Sequence, residues 1–325
     1  MRRFRGWPGA IFFACFAGCG APARIGDRSE RTGDEISAAG QLIHTGTRVI
    51  LWNDPGGYDA YRLNCRFSPE RAGPVQAPER LARFESFRGG LDDGLSRRVR
   101  ESGWSIEDLR RAIRQVVIHF DACGTSRRCF EVLHDIRGLS CHFMVDVDGT
   151  VYQTLDLKEK AWHASEANGS SVGIEIAHIG AFATREQASA WYREDARGVR
   201  IEPPAGEGDI GFPRGSVLRP RLPQPVAGEI NGKDLVQYDF TEEQYRALEK
   251  LLLALCRTFP KILARAPEGS DGKLLRRAFA TAEDLLCHEG LLGHFHVTTG
   301  KVDPGPAFDW GRILKFLKAK GVKER

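Results

Sequence analysis

The sequence predicts an α/β fold, a central mixed β-sheet flanked by helices. Three observations carry this. A β-branched run, Val116-Val117-Ile118, ends in His119 and Phe120, as expected of a buried strand. Asp148-Gly149 separates two apolar segments, Cys141 to Val147 and Val151 to Leu155, which is a hairpin signal. After Thr241, apolar residues recur at Tyr245, Leu248, Leu251, Leu252 and Leu255, the helical period.

Taken in order, the chain opens with Arg2, Arg3 and Arg5, then the apolar run Ala10 to Ala17, then Gly18-Cys19-Gly20. A basic start, a short apolar core and small residues describe a secretory signal over residues 1–19. The run is too short to span a bilayer. Phe16-Ala17-Gly18-Cys19 has the form of a bacterial lipobox, which makes Cys19 a lipidation candidate. The expectation is an exported protein of the cell envelope or periplasm, held to a membrane by an N-terminal lipid. Residues 20–40 lack periodicity and read as a flexible tether. Residues 41–110 read as an extension packing on the following domain, with a strand at Thr47–Trp52 and a turn at Asn53–Gly57. Residues 66–100 carry no assignable pattern. Ser105 caps a helix with Asp108 at its third position. A strand follows at Gln115–Phe120 and a helix at Ser126–Ile136. After the hairpin comes a strand at Val172–Ala177. Residues 180–235 read as an insertion, whose Pro- and Gly-rich part, 200–232, suggests a long loop over a cleft. Thr241 to Gln244 form a capping box for the periodic helix, and Asp309–Ala319 is a last amphipathic helix. The main domain is thus placed at 111–320. No internal repeat is visible.

Composition excludes some functions. With 42% apolar and 28% charged residues, the chain is globular rather than disordered. Setting aside the three leading arginines leaves 44 basic against 43 acidic residues, a net of +1, which gives no basis for nucleic-acid binding. The oligomeric state stays open, with a monomer as the starting assumption. Beyond Cys15 and Cys19 there are six cysteines, Cys65, Cys123, Cys129, Cys141, Cys256 and Cys287. An even count in an exported chain suggests disulfides, with fifteen pairings possible.

The residues that carry chemistry sit mainly near the C-terminus. Gly293-His294-Phe295-His296 is followed by Lys301-Val302-Asp303-Pro304-Gly305. An imidazole and a carboxylate on a Pro/Gly-constrained loop are a normal zinc ligand pair, and a catalytic zinc needs one more protein ligand and an open position. His119, at a strand end, is the candidate third. His296 competes with His294. Glu175 stands in an apolar strand, where a carboxylate is costly without a role or a partner.

These blocks, with Ser140 to Asp146, Asp148 to Gln153, Ala161-Trp162-His163-Ala164 and Ser171 to Ile176, stand in a familiar order. The chain resembles the zinc-dependent N-acetylmuramoyl-L-alanine amidases of the type-2 class. That class includes phage T7-type lysozymes, cytosolic anhydro-muropeptide amidases and peptidoglycan recognition proteins. The resemblance runs from about Gln115 to Leu317 and does not explain the residues before Arg110. It implies hydrolysis of the amide between the MurNAc lactyl group and L-alanine, in peptidoglycan or muropeptides, with Zn2+ as cofactor. Its ligands would be His119, His294 and Asp303, the family placing one directly after Gly. Asp303, where many members have Cys, puts the chain nearer the anhydro-muropeptide branch. Glu175 would act as general base or orient water, and Lys301 would stabilise the oxyanion; which of them passes the proton to the leaving amine stays open. His163 would contact substrate or the oxyanion, with Trp162 as groove wall. His142 reads as structural. Peptidoglycan recognition proteins carry a cysteine pair at the place of Cys123 and Cys129, which implies a disulfide there. Two rivals remain: a non-catalytic peptidoglycan-binding module, and a zinc hydrolase of this fold acting on another amide.

Overall fold

The computed structural model describes residues 23–67, 83–89, 91–213, 215 and 217–325. The signal segment and Cys19 lie outside the described residues. The fold is mixed α/β, built on a six-stranded sheet in the order Gly290–Gly293, Gln115–Phe120, Ser171–Ile176, Phe143–Val145, Val151–Gln153, Val49–Leu51. All neighbours run parallel except Phe143–Val145 with Val151–Gln153, the hairpin across Asp148-Gly149.

Strand alternation divides the chemistry from the core. Val116 and Ile118 share a face with Val172, Ile174 and Ile176, packed with helix Glu242–Thr258 through Leu251, Leu252 and Leu255. Fully burying each such leucine contributes about 1.5–3 kcal/mol. The helix starts on the expected capping box, Thr241 with Gln244, and helix Ile106–Ala112 starts on Ser105 with Asp108. On the opposite face Val117 pairs with Gly173, and His119 with Glu175. That face is covered thinly, by Ala164, Ala167 and Leu285 against Val117 and Leu292. A cleft can therefore open there, at the carboxyl ends of parallel strands, where α/β folds place ligands.

The structure departs from the sequence expectations in four places. Residues 35–38 are not tether: Glu35–Ala38 is a buried strand paired with Gln41–His44, and Ile36 and Ala38 are fully enclosed. Ser126–Ile136 is not one α-helix; it is α-helical over Ser126–Phe130 and π-helical over Glu131–Ile136. The 200–232 segment is bounded by two hairpins, Tyr192–Asp195 with Gly198–Ile201 and Val226–Ile230 with Lys233–Gln237. The Cys123–Cys129 bridge is not formed: both residues are thiols, with the Cys129 side chain hydrogen-bonded to Cys123. Among the described residues, no helix is long and apolar enough to cross a membrane.

Glu35 shows how a charged residue enters the core here. Its carboxylate accepts from the Thr32 N–H (2.7 Å), the Thr32 hydroxyl (2.6 Å) and the Gly33 N–H (3.1 Å). Burial pushes its pKa up, but these hydrogen bonds, led by the Thr32 hydroxyl, outweigh burial and hold it at about 2 against an ordinary 4.5. A pKa lowered by folding stabilises the protein above the unfolded value and loses that stabilisation as pH falls through the folded one. Glu35→Gln is therefore expected to cost about 1–3 kcal/mol at pH 7. The gap from wild type should shrink between about pH 4.5 and 2. Urea unfolding at pH 7 and pH 3 checks this; an equal gap at both would refute it.

Candidate active site

His119 is the fifth residue of its strand, on the thinly covered face, and is buried. The neighbouring strand ends at Gly293, so His294 is delivered beside it. Gly293 is needed there, because a Cβ would lie 2.7 Å from Pro304 Cδ and from Phe295 Cε1. Asp303 reaches the same point on a loop held from several sides. The Phe295 N–H donates to the Asp303 carbonyl (3.1 Å). The buried Gln237 donates from Nε2 to the Pro304 carbonyl (3.0 Å) and accepts at Oε1 from the Ala307 N–H (3.0 Å). Asn231, at the hairpin turn, donates from Nδ2 to the Lys301 carbonyl (2.7 Å).

These supports bring three donor atoms together. His119 Nδ1 lies 3.0 Å from His294 Nδ1 and 2.9 Å from Asp303 Oδ2, and His294 Nδ1 lies 3.0 Å from the same oxygen. All three residues are buried. Burial pushes the Asp303 carboxyl up, but His294 and His119 outweigh it and hold it well below the usual carboxylate range. Burial, then His294, lowers His119 to about 4, so its imidazole is neutral at pH 7. Two imidazole nitrogens and one carboxylate oxygen converging from one side fit a zinc ion. His296 is excluded from the set: its Nδ1 accepts from the Gly293 N–H (2.9 Å) and its Nε2 lies 2.7 Å from the Leu275 carbonyl.

The cleft beside the triad is lined by Glu175, Lys301, Trp162 and His163, all expected from sequence. Glu175 stands cross-strand from His119. Its Oε2 is buried without a hydrogen-bond partner in the protein. Burial, then the charges of Asp303 and Asp121, pushes its carboxyl well up, with Lys301 opposing. The two nitrogens of His163 already have protein partners, His119 Nε2 at 3.0 Å and Ser171 Oγ at 3.3 Å. The free thiols Cys123 and Cys129 form part of the wall. Sequence reasoning missed Arg137, Asp121, Leu133 and Leu139, which line the same cleft. Burial raises the Asp121 carboxyl to about 8. It missed Asn231 as well, although Asn231-Gly232 is a strong hairpin signal. His142 is fully buried; its Nδ1 accepts from the Gly173 N–H (3.0 Å), and its Nε2 lies 3.1 Å from the Glu159 carbonyl.

Several solved structures are similar to the chain. A selenomethionine derivative of AmpD is 18% identical, covering 64% of this chain and 86% of that one, with a TM-score of 0.32. AmiD from E. coli, in complex with anhydro-N-acetylmuramic acid-L-Ala-D-γ-Glu-L-Lys as substrate, is 16% identical (70% and 62% covered, TM-score 0.37). AmpDh3 from Pseudomonas aeruginosa, in complex with anhydromuramic pentapeptide, is 15% identical (65% and 60% covered, TM-score 0.35). These similarities are distant, and this chain spans only about three fifths of the last two. No curated protein matches the sequence. The family model for N-acetylmuramoyl-L-alanine amidase matches residues 109–306, well over half of the chain. That stretch holds the triad, Glu175, Lys301 and the strands that present them: the chain belongs to the N-acetylmuramoyl-L-alanine amidase family.

Proposed function

We propose that the chain is a zinc-dependent amidase that cleaves the bond between the MurNAc lactyl group and L-alanine, in peptidoglycan or its fragments. One observation carries this: the donor atoms of His119, His294 and Asp303 meet at the edge of a cleft where the buried Glu175 Oε2 lacks a hydrogen-bond partner in the protein. His119, His294 and Asp303 would hold the zinc, which would polarise an amide carbonyl and lower the pKa of a water to about 7. The chain's own groups do the rest. Glu175 accepts a proton from water at the oxygen that has no protein partner. The Lys301 ammonium, on the same wall, compensates the charge that develops on the substrate oxygen. Trp162 offers a flat apolar wall, and Leu133 and Leu139 another.

Export, and anchoring at Cys19, belong to the same proposal; they rest on the N-terminal sequence alone. They would place the enzyme beside its polymer. Purified chain loaded with zinc, incubated with anhydro-muropeptides and with intact sacculi, is expected to release stem peptides with a free L-alanine amine, read by mass spectrometry. Zinc bound with neither substrate cleaved would move the activity to another amide. No zinc bound would leave a recognition module and sink the enzymatic reading.

A further inference from the structure

We propose that His163 is a positioning residue that fixes His119 in the tautomer able to ligate a metal through Nδ1. The inference rests on the metal-site reading above. A neutral imidazole carries one ring proton. The Nδ1 of His119 faces His294 and Asp303, so a free lone pair there requires the proton on Nε2. That N–H needs an acceptor, and His163 Nδ1 lies 3.0 Å away. His163 must then carry its own proton on Nε2, which lies 3.3 Å from Ser171 Oγ. The relay therefore has one direction, from His119 to His163 to Ser171.

The seat of His163 is built for this. Gly173 lies under the ring, and a Cβ there would stand 2.7 Å from His163 Cγ and Nδ1. The backbone N–H groups of His163 and Ala164 donate to Asn168 Oδ1 (3.0 and 2.6 Å). The Ser171 carbonyl accepts from Arg88 Nη1 (2.9 Å), and Arg88, fully buried, also donates to the Leu157 carbonyl (2.9 Å). The ring is thus fixed from below, along its backbone and at its far nitrogen. With both nitrogens engaged inside the protein, His163 acts through His119.

The test is zinc affinity of the full chain, by competition with a chromophoric chelator, for wild type, His163→Ala, His163→Phe and His163→Asn. Alanine and phenylalanine remove the acceptor and are expected to weaken zinc binding about 10–100-fold, the usual loss for an outer partner of a ligand. In asparagine an amide oxygen replaces Nδ1 as acceptor and should restore most of the affinity. The visible spectrum of the cobalt(II)-loaded protein should shift in His163→Phe and not in His163→Asn. Wild-type affinity in His163→Phe would overturn the inference. So would an asparagine variant as weak as phenylalanine, which would assign the effect to packing. If His163→Ala does not fold, the phenylalanine–asparagine comparison decides alone. A wild-type chain that binds no zinc would remove the metal site itself, a separate result.

Discussion

Asp303→Ala is expected to leave a folded chain that neither holds zinc nor hydrolyses its amide. Asp303 supplies the only anionic atom among the three donors, and its Oδ2 sits 2.9 and 3.0 Å from the two imidazole nitrogens. Without it only the two imidazoles remain. Losing an outer partner of a ligand already costs about 10–100-fold in metal affinity, so losing a ligand should cost more than about 100-fold. Turnover should fall by more than about 10³-fold, the scale for a member of a group that acts as a unit. The fold should survive, because the loop is also held by Gln237 and Asn231 through backbone carbonyls, which the substitution leaves in place. Stability supplies a readout independent of turnover. With free zinc at about 1,000 times the wild-type Kd, wild type should gain about 4 kcal/mol over the chelated protein, and a variant weakened more than about 100-fold less than about 1.4 kcal/mol. A variant that still loads one zinc and gains the wild-type increment would place the third donor elsewhere.

Much of this site was legible because its parts obey short-range rules. His119 ends a β-branched strand, and His294 and Asp303 flank a Gly/Pro-rich loop, so their types and surroundings marked them before any geometry was known. The caps at Ser105 and Thr241 and the hairpin at Asp148-Gly149 were legible for the same reason. What failed depended on long-range partners. Glu35 looks like a tether residue until its hydrogen bonds from Thr32 and Gly33 are seen. Arg88 has no pattern that foretells complete burial, since arginine is almost never fully buried unless paired. The contact between His119 and His163 spans 44 residues of chain, and sequence suggested only that His163 faced the groove. Asn231-Gly232 differs: its turn signal was present, but the surrounding Pro and Gly made the whole segment read as loop.

Glu175→Gln is expected to lower kcat by about 10²–10⁴-fold, the usual contribution of a positioned general base, with zinc content unchanged. The argument begins with cost. A buried polar atom without a partner costs about 1–3 kcal/mol, more when charged, so selection retains it only where a ligand or water completes it. Glu175 Oε2 is such an atom, on the wall that also carries the triad and Lys301. Its place follows from strand register: alternation puts Glu175 on the face of Gly173 and opposite His119, while Ile174 and Ile176 turn into the core. A carboxyl that burial and the nearby Asp303 push upward holds a proton more readily than a surface carboxylate, which suits a group that takes a proton and gives it back. Glutamine keeps the shape and removes that capacity. Because burial already favours the uncharged carboxyl, glutamine should leave stability close to that of wild type. Lys301→Met is the companion measurement. A Lys301 that only compensates charge should leave the pH dependence of kcat in place and lower its height, whereas Glu175→Gln should remove the limb that a base contributes. Turnover within about 3-fold of wild type in Glu175→Gln, against that 10²-fold floor, would take the proton transfer away from Glu175 and leave Lys301 as the group to test.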